Sequence, residues 1–462
     1  MTRLRTLAAM MLLGLAAAAA PAQAPVPPPA PTPAAPAAGA ALTLEEALAL
    51  AARNNETAGI AQARLERAEA IKRQAYSAFW PALTATGTYT RRSEEVVRII
   101  DGEEITSQAK NAFQTLTILD VPIFDARAFP VARATERSLE AQQQESQELV
   151  RTLTFDTSEA FFAVLSLERL VEAARRRLEV AQAVVSDAET RLDAGLASRN
   201  ELTRTDLERA QARLALTVSQ NSVQINRLRL EYLIGADVPA RLEEPGPLFS
   251  GPRDLAELTR QARAYRPDLI AAEKRAEAAR LLAKEPTLRW IPRLDGTATY
   301  RTTNEPGLSG KESDWNAGAL LTWELFDGGE RYAEAAARRA EHRDLVLQSE
   351  ALRRQIGVDV ERAGADLDTA EAGVKQAEVA VSVARQNEEE VRVRFQEGLA
   401  TALEQADASV SAFEAEAVLA QQRFALYVAQ LALLRTTGGW PLGAPPPTAP
   451  IMVPEPEPER AP

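Results

Sequence analysis

An internal repeat constrains this chain more than any other feature. The segment around Gly195 reads RLDAGLASRNEL, and the segment around Gly398, about 203 residues later, reads RFQEGLATALEQ. Upstream, Trp80 leads into a threonine-rich run, and Trp290 leads into a second run of the same kind. A repeat of this length makes each half one long supersecondary unit. We therefore expect the function to belong to an assembly of such units and not to a single catalytic pocket.

The composition favours long helices and argues against an enzyme. Only 5% of the 462 residues are aromatic, while Ala, Glu, Gln, Arg and Leu fill long segments. The net charge of −12 disfavours nucleic acid as a partner. Because the chain has no cysteine, disulfides and thiolate metal sites are excluded. The one histidine, His342, lies in a charged helical stretch and is interpreted as a solvated residue. We expect no catalytic site, no metal site and no cofactor.

The amino terminus has the pattern of a secretory signal peptide. Arg3 and Arg5 precede a short apolar stretch and a small-residue cleavage site, which assigns residues 1–22 to the signal. No later run approaches the roughly 20 apolar residues that a membrane-spanning helix needs, so we expect no such helix. Residues 23–41 are rich in Pro and Ala and predict an extended tether. The Pro-rich residues 441–462 predict a disordered tail.

Each half then shows the pattern of a very long helix. Between residues 127 and 193 there is no glycine, and apolar residues recur every three or four positions, alternating small and large. At 1.5 Å per residue, a helix of roughly 65 residues spans on the order of 100 Å. We predict antiparallel helical hairpins over about 127–234 and 330–437. A shorter amphipathic helical segment precedes each hairpin, at about 43–80 and 254–289.

The turns of both hairpins can be predicted from their residue chemistry. Gly195 and Gly398 suit the left-handed position that follows a helix, and the leucines after them, Leu196 and Leu399, are expected to fold back onto the last turn. The returning helices begin with two sequences typical of capping boxes, in which a hydroxyl residue is followed by a glutamate three positions later. These pairs are Ser198 with Glu201 and Thr401 with Glu404.

Between the short and long helices the hydrophobic period changes from 3.5 to 2, which indicates strands. One hairpin is expected at about 82–121 and another at about 293–326. The four predicted strands are 82–100, 104–121, 293–304 and 313–326. The repeats then cover 42–240 and 254–440, joined by a linker at 241–253.

Tryptophans flank or lie within these strands, as in the aromatic girdles of membrane β-barrels. The four are Trp80, Trp290, Trp315 and Trp323. A soluble β-domain with one buried face explains the alternation of residues but not the placement of the tryptophans. Four strands cannot close a barrel, since the known minimum is about eight, and an open sheet edge is not tolerated in lipid. An oligomer is therefore implied, with eight strands from two chains or twelve from three.

This plan resembles the outer-membrane efflux protein family, whose best-known member is TolC. The resemblance covers about residues 42–441. Its local marks are the doubled glycine turn and LTWELFDGG at 321–329, which is close to the family's Pro-Leu-Phe-Asp-Gly-Gly, with Glu324 in place of the proline. The first half keeps Pro122 but reads FDAR where the double glycine is expected.

The resemblance implies an α+β membrane protein of three protomers. Their strands form one twelve-stranded barrel in the outer-membrane lipid, and their helical hairpins continue it as an α-barrel through the periplasm, tapering to an iris at the helical turns. A periplasmic adaptor and an inner-membrane pump, of the RND or ABC type, dock at that end. The implied function is an exit duct for small molecules. Two alternatives remain: an exit duct for type I protein secretion, and a coiled-coil surface scaffold or adhesin.

The same resemblance suggests which residues form the iris. The family often places a ring of carboxylates after the second turn, where this chain has Glu404 and Asp407. Glu404 also has a predicted capping role, so Asp407 is favoured as the lumen-facing ring. In TolC-like members a Tyr and an Arg tie the closed iris. Phe395 and Ala400 occupy those positions here and cannot make those hydrogen bonds, so Arg204, which the repeat aligns with Asp407, is expected to substitute.

Overall fold

A computed structural model describes residues 41–100, 103–195, 198–246, 248, 254–305 and 311–443. The predicted signal peptide, almost all of the tether and most of the tail lie outside these residues, as does Leu196. Residues 42–238 and 242 onward belong to one compact unit, to which the following description applies.

The described residues form nine α-helices, of which two are very long. The two, α3 and α8, have 66 and 67 residues. The helices are α1 Leu44–Asn54, α2 Glu56–Tyr76, α3 Ala128–Asp193, α4 Arg199–Ile234, α5 Leu255–Tyr265, α6 Pro267–Leu282, α7 Glu285–Leu288, α8 Glu330–Gln396 and α9 Ala402–Thr436.

The two short helical segments are broken, where the sequence had predicted one helix each. Asn55 ends α1 and begins α2, because its side chain accepts a hydrogen bond from the Thr57 N–H at 2.9 Å and so acts as an N-cap. In the second repeat the break falls at Arg266, before Pro267. The proline ring disfavours helical backbone at the preceding residue but fits the first turn of the next helix.

Six strands occur in the described residues. They are β1 Ala82–Arg91, β2 Val96–Ile100, β3 Glu103–Gln108, β4 Asn111–Phe124, β5 Arg293–Thr303 and β6 Ser313–Thr322. Four of them form one antiparallel sheet in the order β1-β4-β5-β6, and β2 pairs with β3 in a separate two-stranded ribbon.

The strands predicted at 82–100 and 104–121 are each interrupted, which corrects the sequence-based boundaries. Arg92 donates to the Ala109 carbonyl at 2.9 Å, and the Glu305 carboxylate accepts from the Ala109 N–H at 2.6 Å. These backbone groups therefore leave the ladder, and the sheet ends there. At the other end, β6 stops at Thr322 and not at residue 326, because the chain turns there toward α8.

The strand register separates an apolar from a polar face of the sheet. On one face, Tyr89 lies opposite Phe113, and Tyr300 lies opposite Trp315. The opposite face carries the alternating threonines of β1 and an ion pair between Arg301 and Asp314 at 2.8 Å. This arrangement is typical of membrane strands, whose lipid-facing and lumen-facing residues alternate.

The long helices lie side by side in the order α4-α3-α9-α8, with the short helices packed against α3 and α8. The larger buried cluster is built around Phe161, Phe162, Leu230 and Ile234. A second cluster joins α8 to α5, α6 and α9.

The composition of α9 bears on the expectation that no helix is long and apolar enough to span a membrane. It is the one helix in the described ranges that is long and apolar enough to cross a membrane by length and composition, with a mean hydropathy of 1.3 over its most apolar window. In the fold, α9 packs along both α3 and α8. Only 17% of that apolar window is buried within the single chain, so packing inside one copy accounts for only part of it.

Candidate functional site at the helical turns

The two helical turns have the backbone geometry that their glycines predict. The φ angles of Gly195 and Gly398 are 72° and 75°, in the left-handed region. The Gly398 N–H donates to Phe395 O at 3.0 Å and the Leu399 N–H donates to Arg394 O at 2.7 Å, which closes the end of α8. The expected packing of Leu399 onto the last turn is wrong, because its side chain is 65% exposed.

The helix starts after the turns differ in detail. At Thr401 both halves of a capping box are present: the Glu404 N–H donates to the threonine hydroxyl at 3.2 Å, and the Thr401 N–H donates to the Glu404 carboxylate at 2.7 Å. At the first turn the Ser198 hydroxyl accepts from the Glu201 N–H at 3.1 Å. The hydrogen bonds from Thr401, chiefly from its N–H, lower the pKa of Glu404.

The other predicted iris residues, Asp407 and Arg204, form no ion pair with each other within the part of the chain that the structure describes. The side chains of Asp407 and Arg204 are both exposed, on α9 and α4. The backbone carbonyl of Asp407 accepts from the Ser411 hydroxyl at 2.8 Å. Among the described residues, neither side chain has an ion-pair partner in its own chain. Both are therefore available to face a lumen or a neighbouring copy.

Sequence reasoning missed the residue that contacts Phe395. The guanidinium of Arg191, near the end of α3, lies 4.5 Å from the centre of the Phe395 ring and donates to the Phe395 carbonyl at 2.9 Å. The side chain of Phe395 cannot hydrogen-bond, but its ring face and its backbone carbonyl both bind the cation. The sequence feature that could have pointed to Arg191 is an arginine four residues before the turn glycine in both repeats.

Higher in the helix row, α3, α8 and α9 enclose a charged cleft of about 540 Å³. Glu416 is the central group: its side chain is 12% exposed and pairs with Arg176 of α3 at 2.5 Å and with Arg385 of α8 at 2.5 Å. Burial raises the pKa of Glu388, which also lines the cleft. The remaining charged residues of the lining are Arg177, Glu179, Glu389 and Arg392.

Two junctions, one in each repeat, connect the sheet to the long helices. In the second repeat, Asp327 accepts from the Gly329 N–H at 3.0 Å, from the Arg331 N–H at 3.0 Å and from Arg331 Nε at 2.7 Å. These contacts, led by the Arg331 side chain, lower the pKa of Asp327 to about 2. The Arg331 guanidinium also lies 4.2 Å from the Trp290 ring centre. The junction thus fixes the angle at which α8 leaves the sheet.

The backbone conformations of the two junctions explain why only the second has a double glycine. Gly328 and Gly329 have φ angles of 69° and 93°, which other residues rarely adopt. In the first repeat Asp125 binds Arg127 instead, at 2.8 Å, and Arg127 has a φ of −71°. The FDAR sequence therefore makes the same aspartate–arginine contact with a different backbone, and it needs no glycine.

The four predicted girdle tryptophans are largely exposed in the single chain, at both ends of the sheet. Trp315 lies near the loop end of β6, while Trp80, Trp290 and Trp323 lie near the helical end. Trp323 Nε1 donates to Trp290 O at 3.1 Å. The sequence analysis missed the other aromatic residues of the apolar face, Tyr89, Phe113 and Tyr300, of which Tyr300 lies directly opposite Trp315. No cluster of three or more His, Asp or Glu among the described residues is placed to hold a metal ion.

Comparison with known proteins identifies the class to which this fold belongs. The profile of the family described as outer membrane efflux protein matches residues 47–236 and 258–439, one segment in each repeat. The chain belongs to this family. It is an exit duct of the outer membrane that extends into the periplasm.

Individual relatives agree with this assignment. The pyoverdine export outer membrane protein OpmQ of Pseudomonas aeruginosa is 25% identical over 406 residues, which cover 86% of this chain and 85% of OpmQ. Among solved structures, the outer membrane protein VceC of Vibrio cholerae has a TM-score of 0.71 at 22% identity, covering 86% of this chain and 96% of VceC. The CmeC outer membrane channel of Campylobacter jejuni has a TM-score of 0.74 at 14% identity, covering 87% and 86%. OpmQ is named for export, and CmeC is named as a channel.

Proposed function

We propose that three copies of this chain close one channel, through which an inner-membrane pump and a periplasmic adaptor expel small molecules. The observation that carries this proposal is a pair of exposed apolar stripes, one on each outer helix of the row. A helix at the edge of a monomeric protein would turn a polar face to water. Exposed apolar stripes of this length indicate contact with another protein.

The first stripe runs along α4. Its residues recur at intervals of three, four or seven, so they share one side of the helix. The opposite side carries Ala212, Ser219 and Leu230, which are buried within the chain. The stripe consists of Leu207, Leu214, Val218, Ile225, Leu228 and Tyr232.

The second stripe runs along α8. It again lies opposite the buried side, which includes Ile356, Val360 and Leu367. The stripe is less continuous than that of α4, since Val379 follows Val358 by 21 positions. It consists of Leu347, Val358, Val379, Val383 and Val393. Since α4 and α8 are the two ends of the row, a ring of copies places α8 of one copy against α4 of the next. A heterologous contact of this kind closes when the rotation fits a whole number of subunits.

The sheet also supports an assembly of three copies. Within the described residues, strands β1 and β6 each have a partner on one side only. In lipid both edges must be paired, and β6 of one copy with β1 of the next would pair them. Three copies supply twelve strands, which is within the known range for such barrels.

The cargo is proposed from the name of a relative, and the docking site from the position of the helical turns. OpmQ is named for the export of pyoverdine, which supports export of compounds over export of proteins. The turns at Gly195 and Gly398 lie far from the sheet along the helices, and their exposed Leu399 gives an adaptor an apolar contact. We assign Asp407, Glu404 and Arg204 to the constriction near these turns.

Conductance across a planar bilayer separates a duct from a scaffold. The purified chain, reconstituted into a lipid bilayer, should give discrete and repeatable current steps. A coiled-coil scaffold or adhesin would give no current steps, even at concentrations where the chain inserts. Insertion is measured separately by flotation of the protein with lipid vesicles, so that silence is not confused with a failure to insert.

A further inference from the structure

We infer that Arg191 is the positioning residue that holds the tip of the second helical hairpin against the first, through a clasp on Phe395 within each copy. Loss of this clasp favours the open constriction. The inference rests on the proposed duct and assigns to one side chain the role that we had expected of Arg204.

The clasp has three contacts on one guanidinium. It lies over the Phe395 ring at 4.5 Å, donates from Nη2 to the Phe395 carbonyl at 2.9 Å, and pairs through Nε with Asp187 at 2.8 Å. Asp187 is one turn earlier on the same helix, so it fixes the direction in which Arg191 extends. The cation is therefore oriented toward the second hairpin before it binds there.

Phe395 is suited to receive this contact. Its side chain is 6% exposed and packs with Val184 of α3 and with Ala400 and Ala402 around the second turn. The ring thus sits between the first hairpin and the turn of the second. The small alanines at 400 and 402 leave room for the ring, and an aromatic face partly removed from water binds a cation more strongly.

The position of the clasp suits control of the tip. Arg191 lies four residues before Gly195, and Phe395 lies three residues before Gly398. Val184 also packs on Phe395 near the turns, but the other charged contacts between the hairpins are further away: Glu416 holds Arg176 and Arg385, and Arg177 lies 5.2 Å from the Phe413 ring. The tip of the second hairpin can therefore swing away when the clasp opens, while the contacts at Glu416 keep the helix row intact.

The repeat provides a matched control. Arg394 occupies the position in the second hairpin that Arg191 occupies in the first. It does not cross between hairpins, since its Nη2 donates to Leu399 O of its own turn at 3.4 Å. The repeat likewise aligns Phe395 with Leu192. A leucine at 395 would keep the apolar packing and remove only the ring face.

The test is single-channel recording of the full-length protein and five variants, each first shown to have the oligomeric mass of the wild type. Arg191→Met should raise the fraction of time spent in the high-conductance state several-fold. Phe395→Leu should raise it less, because the backbone carbonyl at 395 can still accept from Arg191, and the double variant should add little to Arg191→Met. Arg191→Lys keeps a cation and should restore much of the closed state, while Arg394→Met should match the wild type.

The outcomes separate the clasp from the duct. A wild-type protein that inserts without conducting would refute the proposed function itself. A conducting wild type whose open fraction is unchanged by Phe395→Leu and by Arg191→Met would overturn the clasp, as would an equal effect of Arg394→Met. If Arg191→Met failed to assemble, Phe395→Leu and the Arg191→Lys rescue would decide the question alone.

Discussion

The two helical turns of this chain have nearly the same backbone and different surroundings. Gly195 and Gly398 differ by 3° in φ, from 72° to 75°. Yet the arginine beside the first turn crosses to the other hairpin, whereas the arginine beside the second binds its own turn. The second turn also carries the complete capping box. The duplication thus supplies one scaffold twice, and the differences between its copies lie in a few side chains near the turns and at the junctions with the sheet.

The scaffold itself should be equally sensitive in both repeats. A charge in either apolar stripe, as in Leu214→Asp on α4 or Val383→Asp on α8, would place a carboxylate in the interface between copies and should abolish the trimer. Size-exclusion chromatography with light scattering measures this loss. Gln220→Asp, on an exposed position of α4 outside the stripe, is the control and should remain trimeric. Trimers in both stripe variants would mean that these faces do not meet.

The sheet-to-helix junctions should differ between repeats. In the folded chain the pKa of Asp327 is about 2, against 3.8 for an ordinary aspartate. A carboxylate with a lowered pKa stabilises the fold above its unfolded pKa, and this contribution is lost as the pH falls. The wild type should therefore lose stability as the pH falls from about 4 to about 2.

Asp327→Asn should lower the thermal midpoint at neutral pH and flatten this acid dependence. Asp125→Asn should have the same sign and a smaller effect, because Asp125 and Arg127 are more exposed to water than Asp327 and Arg331. Heat denaturation followed by circular dichroism at several pH values measures both. Equal shifts in the two variants would contradict the distinction between the junctions.

The glycine turns should respond alike. Gly195→Val and Gly398→Val each force a β-branched residue into a left-handed backbone, which costs at least about 1–2 kcal/mol. A Cβ at either position meets no atom within 4 Å, so the cost is backbone strain alone. The tips should distort and bind adaptor less tightly while the barrel still assembles. Ala194→Val, at a residue with a φ of −77°, is the control. A normal adaptor affinity in both glycine variants would exclude the turns as the docking site.

The two N-caps, at Ser198 and Thr401, should differ less in the stability that they contribute. Loss of an N-cap hydroxyl typically costs about 1 kcal/mol. Thr401→Ala should cost more than Ser198→Ala, because it also releases the Glu404 carboxylate from the threonine hydroxyl, 3.0 Å away. Hydrogen exchange at the first turn of α9 and of α4 measures the two effects separately. A larger loss of protection in α4 would reverse the comparison.

The smallest effect on the fold is expected at the exposed charges. Asp407→Ala should reduce the cation preference of the channel, because three carboxylates around a narrow lumen attract cations. Arg204→Ala, at the aligned position of the first repeat, should shift the preference in the opposite direction. Reversal potentials in a salt gradient measure both, with thermal stability unchanged. Identical reversal potentials in the two variants would place the constriction elsewhere.

The sequence predicted those parts of the fold that depend on local chemistry. The left-handed backbone at Gly398 needs a glycine, and the alternation in β6 assigns Trp315 to the apolar face, so both followed from the residues themselves. The contacts it did not predict join distant parts of the chain. Glu305 interrupts the first strand hairpin through Arg92, 213 residues away in sequence. Arg191 reaches Phe395 only because the ends of the two hairpins meet near the turns, which no periodicity within either helix reveals.

The most direct test of the account is the native mass of the purified protein in detergent. Open strand edges and two unpartnered apolar stripes predict one species with three times the mass of a single chain, and no folded monomer at concentrations where the trimer is intact. A stable monomer with its full strand content would contradict the shared barrel and, with it, a duct formed between copies.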